Sequence, residues 1–93
     1  MHEVEVPPLC PKTNNPIKGS TLTITYVPED ELLELYSLNQ YMASFIGSNE
    51  VRDLELFTQV VARDCHEKLG VKVRVTCKFI LNIGQTLLCE CES

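Results

Sequence analysis

Apolar positions recur at every second residue towards both ends of the chain and at every third or fourth in its middle. From Ser20 to Val27, Leu22, Ile24 and Tyr26 alternate with Thr21, Thr23 and Thr25, which predicts a half-buried strand rich in β-branched residues. Pro28 ends it, and Glu29-Asp30-Glu31 then places acids where the positive end of a helix dipole favours them. Leu32, Leu35, Leu38, Tyr41 or Met42, and Phe45 follow at helical spacing, so a helix is expected over 30–46, with Gly47 as its stop. Ser48 or Asn49 is placed to cap a second helix over 49–69, whose stripe is Leu54, Phe57, Val61 and Cys65 and whose end lies near Leu69-Gly70. From Val71 the period returns to two. Val71, Val73, Val75, Cys77 and Phe79 share one face while Lys72, Arg74, Thr76 and Lys78 share the other, predicting a strand over 71–80. Asn82 to Gly84 turn the chain, and a strand over 85–92 returns with Leu87, Cys89 and Cys91 on one side.

Ahead of these elements, His2–Val6 suggests a short edge strand. Pro7, Pro8, Pro11 and Pro16 then give residues 1–19 the character of a shaped loop and N-terminal arm. Strands, two helices and two more strands in that order imply an α+β fold, an antiparallel sheet with the helix pair packed on one face. At 93 residues this is one domain over 1–93, small enough for association to aid its stability. Hydrophobic content of 44% with 23% charged residues argues against disorder. The net charge of −5 lacks the basic footprint of free-standing nucleic-acid binding. No apolar run approaches the roughly 18 residues of a membrane span, and MHEVEVPPLC carries acids where a signal peptide needs basic and apolar regions. A soluble, cytoplasmic protein is expected.

Five cysteines raise the question of disulfides or metal. Their number is odd, no C-x-x-C occurs, and Cys89-Glu-Cys91 is spaced too closely for the usual paired zinc ligands. Neither a disulfide framework nor a metal is expected. Cys65, Cys77, Cys89 and Cys91 fall on apolar faces, where a thiol behaves as a small hydrophobe. Cys10 stands apart in the proline-bracketed loop, with Lys12 and Lys18 nearby to favour its thiolate. His66 follows Cys65 directly, and neighbouring helical side chains diverge too far to act as a nucleophile–base pair. His2 lies near the terminus and is read as structural.

The run Leu9-Cys10-Pro11-Lys12-Thr13, then Pro16, then Thr21-Leu22-Thr23-Ile24-Thr25-Tyr26-Val27-Pro28, resembles the nucleophile loop and following strand of the QueF family. Glu34, Ser37-Leu38, Tyr41 and Ser44-Phe45 are similar to the family's Glu-Ser-Lys-Ser helix, so that the likeness covers residues 9–45 and fades beyond them. The resemblance implies a tunnelling fold (T-fold) whose sheets close into an oligomeric barrel. It implies that Cys10 attacks the nitrile carbon of 7-cyano-7-deazaguanine to give a covalent thioimide, which NADPH reduces to the aminomethyl product on the route to queuosine in transfer RNA. A thiolate suits that attack because a nitrile is a soft, polarised electrophile. Glu34 and Ser44 fall at substrate-binding positions of the matched helix. Inserting two residues between the helices aligns the apolar pattern and brings Glu55 to the family's purine-gripping glutamate, where a carboxylate suits paired N–H donors. An ungapped alignment would put the His-Glu pair of the family at Arg52-Asp53 instead.

The chain departs from the family at several functional positions. Ile17 replaces the aspartate that handles protons, and no rotamer of Ile is an acid or base. Tyr36 and Asn39 replace two lysines associated with the cofactor phosphates, and Asn82-Ile83-Gly84 replaces an Arg-Gly-Gly stretch. Three readings follow. The first is a nitrile reductase using NADPH, and the second a QueF-like amidinotransferase adding ammonia to the nitrile in archaeal transfer RNA, forming archaeosine. The third is a non-catalytic T-fold protein that binds a purine or assembles. In each, the chain is expected as a homo-oligomeric ring, a pentamer or decamer, with sites shared between subunits and Cys10 of one chain near Glu55 of another. Lys72, Arg74 and Lys78 would line the tunnel and need hydration or anions to offset their repulsion.

Overall fold

The computed structural model describes residues 1–10, 12, 13, 15–27, 35–47 and 53–93, with backbone only at 35–37. Four strands and two helices follow in the order β1 (His2–Glu5), β2 (Thr21–Tyr26), α1 (Leu35–Ala43), α2 (Leu54–Leu69), β3 (Val73–Ile80) and β4 (Thr86–Glu92). The strands form one antiparallel sheet with neighbours in chain order, β1-β2-β3-β4. This is the α+β arrangement that the switch of apolar period predicts. No helix among the described residues is long and apolar enough to cross a membrane.

Register explains how the two faces differ. Val4, Leu22, Cys77 and Cys89 form one cross-strand row, and His2, Ile24, Val75 and Cys91 the next. These rows face the helices; Leu22, Ile24, Val75 and Cys77 have no exposed surface. The opposite face carries Glu3, Thr23, Thr76 and Glu90 in one row, with Thr25, Arg74 and Glu92 in another. Such alternation follows from the two-residue side-chain period of a strand.

Helix α2 lies on β3 and β4, burying Phe57, Val61, Cys65 and Leu69, and also Thr58, Val60 and Ala62 beyond the expected stripe. An edge-to-face aromatic series ties the layers together: Tyr41 meets Phe45 at 4.9 Å, Phe45 meets Phe57 at 5.1 Å, and Phe57 meets Phe79 at 6.1 Å. Tyr41 also donates its hydroxyl to Asp64 over 2.7 Å, so α1 is fixed to α2 by one polar and one aromatic contact. Burial, reinforced by Asp64, pushes the Tyr41 phenol far above its ordinary pKa and keeps it a donor.

The helix boundaries differ from expectation at two ends: α1 stops at Ala43, three residues short of 46, where 44–47 tighten into a turn, and α2 starts later than 49. Asp53 has extended backbone (φ −130°, ψ 159°) and its side chain accepts a 2.6 Å bond from Leu56 N, so it is the N-cap of α2. A helix running unbroken from residue 49 through 53 is therefore ruled out. The apolar period misled because Ser48, Asn49 and Asp53 all make good caps, and only the last is followed at once by the buried stripe. The proposed caps Ser48 and Asn49 lie outside the described residues, as does the acidic start of the first helix, 29–34. At the other end, Gly70 takes a left-handed conformation (φ 69°) and its N–H closes on His66 O, the ending that Leu69-Gly70 predicted. His66 spends its ring on the same corner, with Nδ1 at 2.8 Å from Val71 O. His2 Nε2 lies 3.2 Å from the Tyr26 hydroxyl with the rings stacked. Both histidines thus have structural partners.

Two basic residues of the outer face, Lys72 and Arg74, are paired within the chain. Arg74 meets Glu90 at 3.6 Å and also hydrogen-bonds Glu92, while Lys72 lies 3.3 Å from Glu92. Of the three basic residues expected to need hydration or anions, Lys72 and Arg74 thus have carboxylates of β4 beside them within the chain.

Candidate functional site

Two places concentrate the sequence-predicted site residues. The first is the loop bearing Cys10. Its neighbour Leu9 is buried, which anchors the loop in the core, whereas Cys10 itself is partly exposed. The N–H groups of Leu9 and Cys10 both donate to Asn15 O, at 2.9 and 3.1 Å, closing the loop on itself. Gly47 N donates to Leu9 O at 2.8 Å, so the turn after α1 holds the loop from a second side. Gly47 adopts φ 74°, a conformation that glycine enters without the Cβ penalty.

Hydrogen bonding holds the Cys10 thiol below its ordinary pKa. The Thr13 hydroxyl is the largest cause, followed by the backbone N–H groups of Thr13 and Lys12. Donors aimed at a thiolate favour the charged form. The Lys12 charge is the smallest contributor. The direction agrees with expectation, but the cause differs: dipoles of a tight turn act before the lysines do.

The second place is a groove of about 230 Å³ between α2 and β4, lined by Glu55, Thr58, Gln59, Leu88, Cys89, Glu90 and Cys91. Consecutive strand residues 88–91 alternate between the sheet faces, so a groove touching all of them wraps the open edge of β4. Glu55 is exposed in the first turn of α2, two residues after the Asp53 cap. Thr58 forms part of the floor, with its hydroxyl donating to Leu54 O at 2.9 Å and lying 3.4 Å from Cys77 Sγ. Burial pushes the Cys77 thiol up to about 12 and the Cys65 thiol up to about 11. Burial also raises the Cys89 thiol, with Glu55 and Asp53 adding to the effect. These thiols are held protonated and inert, which distinguishes them from Cys10.

The remaining predicted residues are distributed as follows. Ser44 is exposed and its hydroxyl donates to Tyr41 O at 2.6 Å, finishing the last turn after α1. Glu34 and Arg52 lie outside the described residues, as does the side chain of Tyr36. Asn39 is exposed on α1. Ile17 gives its N–H to Ile80 O at 2.8 Å and its carbonyl accepts from Ser20 Oγ, so its backbone anchors the loop to the end of β3. Cys10 is not among the residues lining the groove of Glu55.

Sequence reasoning missed Thr13, Asn15 and Asn82. Asn15 Nδ2 donates to Asn82 Oδ1 at 3.2 Å, Asn82 N donates to Asn15 Oδ1 at 2.9 Å, and Asn82 Nδ2 donates to Thr13 O at 2.9 Å. Turn-forming Asn at both places was the available signal, but nothing local says that two turns so far apart in the chain meet. Among the described residues no group of His, Cys, Asp and Glu is arranged to hold a metal ion. No protein-family model, no curated protein and no solved structure matches the chain.

Proposed function

We propose that this chain is a nitrile-processing protein of the QueF type, in which the Cys10 thiolate adds to the nitrile of 7-cyano-7-deazaguanine. The observation that carries the reading is Cys10 itself, a partly exposed thiol held below its ordinary pKa by the Thr13 hydroxyl and two turn amides, in the loop where the resemblance puts the nucleophile. In the proposed step the sulfur forms a bond to the nitrile carbon, the C≡N bond loses one π pair to nitrogen, and nitrogen takes a proton. The product is a thioimide. Glu55, on the groove beside β4, would accept N–H donors of the purine.

Two features support a T-fold ring. The sheet runs in chain order with both helices inserted between β2 and β3, and the outer strands β1 and β4 end it on either side. Unpaired strand edges invite another chain, and because Cys10 is not among the residues lining the Glu55 groove, a site shared between neighbours in a pentamer or decamer would unite them. Helix α1 contains no basic residue, and Asn39 is neutral where a dinucleotide phosphate would need charge. These residues do not fit NADPH, so no hydride step is assigned to them, while ammonia addition on transfer RNA needs no such cradle.

The deciding experiment is incubation with 7-cyano-7-deazaguanine. A ligand-sized mass increment with a new near-ultraviolet band is expected, and Cys10→Ala must remove both. No increment under any of these conditions defeats the reading. NADPH, or ammonium with nitrile-bearing transfer RNA, then separates reductase from amidinotransferase by which one consumes the adduct.

A further inference from the structure

The loop that carries Cys10 is fastened to a turn 67 residues away in sequence. Asn82 lies at the start of the turn joining β3 to β4, which Leu81 N closes by donating to Gln85 O over 2.8 Å. Its side chain makes contacts that no turn requires. The carboxamide accepts from Asn15 Nδ2 and donates to Thr13 O, while the backbone N–H of Asn82 is taken by Asn15 Oδ1. Asn15 N in turn lies 3.3 Å from the Thr13 hydroxyl oxygen, and Asn15 O receives the N–H groups of Leu9 and Cys10. Thr13, Asn15 and Asn82 form one hydrogen-bonded latch around the base of the Cys10 loop.

We propose that Asn82 is a positioning residue for Cys10, its carboxamide locking Thr13 and Asn15 so that the Thr13 hydroxyl stays beside the Cys10 sulfur. The role in turnover rests on the nucleophile reading above, but the thiol chemistry can be measured without any substrate. A donor stabilises a thiolate only while it points at it, because hydrogen-bond strength falls steeply with misalignment. Without the amide of Asn82, Thr13 O loses its donor and Asn15 keeps, of its bonds to Asn82, only that from the backbone N–H, so the Thr13 hydroxyl is free to turn to solvent and the thiolate loses its principal donor. Asn82 touches neither sulfur nor substrate. It acts through Thr13.

The test is site-resolved alkylation of the full chain with iodoacetamide across pH, following each cysteine-bearing peptide by mass spectrometry. Asn82→Ala should move the Cys10 rate–pH profile upwards and slow its alkylation at neutral pH several-fold. Thr13→Val should do the same, Thr13→Ser should restore the wild-type profile, and the double variant should go no further than Thr13→Val alone. That non-additivity is the mark of two residues acting through one contact. Buried Cys65 and Cys77 serve as internal controls. If Asn82→Ala accelerates their alkylation the fold has opened, and Asn82→Ser, which still suits a turn but does not span to Thr13, then decides. A Cys10 profile unchanged in the folded Asn82 variants, or unmoved by Thr13→Val, overturns the latch. Shifted profiles with no nitrile adduct in the wild type would keep the latch and remove the substrate. An adduct formed at wild-type rate by an Asn82 variant with an unshifted profile would do the reverse.

Discussion

Substituting Asp53 by Ala should unfasten the start of α2, and the size of the effect follows from its geometry. The carboxylate accepts from Leu56 N at 2.6 Å, and Ala leaves that N–H to water. Loss of a Ser, Thr, Asn or Asp cap costs about 1 kcal/mol, and removal of a negative charge from a helix N-terminus adds about 0.3–1 kcal/mol at low ionic strength. For a domain of this size each kcal/mol lowers Tm by about 4–8 °C, so Asp53→Ala should melt roughly 5–15 °C below the parent. Asp53→Asn keeps the acceptor and should forfeit only the charge contribution. Thermal melts by circular dichroism give the first number, and amide exchange at Leu56 localises it, since that N–H alone loses its acceptor. Asn49→Ala serves as the comparison. If Asn49→Ala costs as much as Asp53→Ala, or if Asp53→Ala leaves Tm and Leu56 exchange unchanged, Asp53 is not the cap and the placement of Glu55 in the first turn of the helix is wrong.

Phe57→Ala should remove a large share of the molecule's margin: the ring has no exposed surface and sits between Phe45 and Phe79. Such truncations cost about 3–5 kcal/mol, against about 5–14 kcal/mol for a whole domain of this length, so urea unfolding should show a large loss of stability, with Phe57→Leu intermediate. Equal midpoints for Phe57→Ala and parent would contradict the aromatic series as a structural spine. The Glu92 carboxyl is held below its ordinary pKa by Arg74 and then Lys72. A depressed folded-state pKa contributes stability that is present above the unfolded value and is lost as pH falls through the folded one. Glu92→Gln should therefore melt below the parent at neutral pH and converge with it in acid, the gap being small because the pair is exposed; a gap that widens in acid would reverse the assignment.

Strands were the most legible part of the chain because their signal is short-ranged. Alternation in Leu22-Thr23-Ile24-Thr25-Tyr26 and in Val73 to Phe79 names the buried face directly, and the structure buries those residues. The start of α2 was less legible, since three good capping residues precede the stripe and local chemistry ranks them equally. Pairing of Lys72 and Arg74 with Glu90 and Glu92 needs the register between β3 and β4, which alternation alone leaves open by steps of two residues. The latch at Asn15 and Asn82 was least legible of all. Asparagine in a turn has an adequate local explanation, and its second use depends on a contact between opposite ends of the sequence.

That contact has a kinetic consequence. The pairs β1–β2 and β3–β4 join strands close in sequence, whereas β2 meets β3 only after the chain has spanned both helices, Tyr26 lying opposite Val73. Closing the longer loop costs more entropy and gains nothing until the seam itself zips. The Asn15–Asn82 bonds lie beyond that seam, so the Cys10 loop should acquire its shape only when the seam has formed. During refolding, rapid alkylation of Cys10 at neutral pH should emerge together with the last, slowest burial of core surface. A partly folded chain would carry Cys10 as an ordinary thiol, and only the finished molecule would carry an activated one.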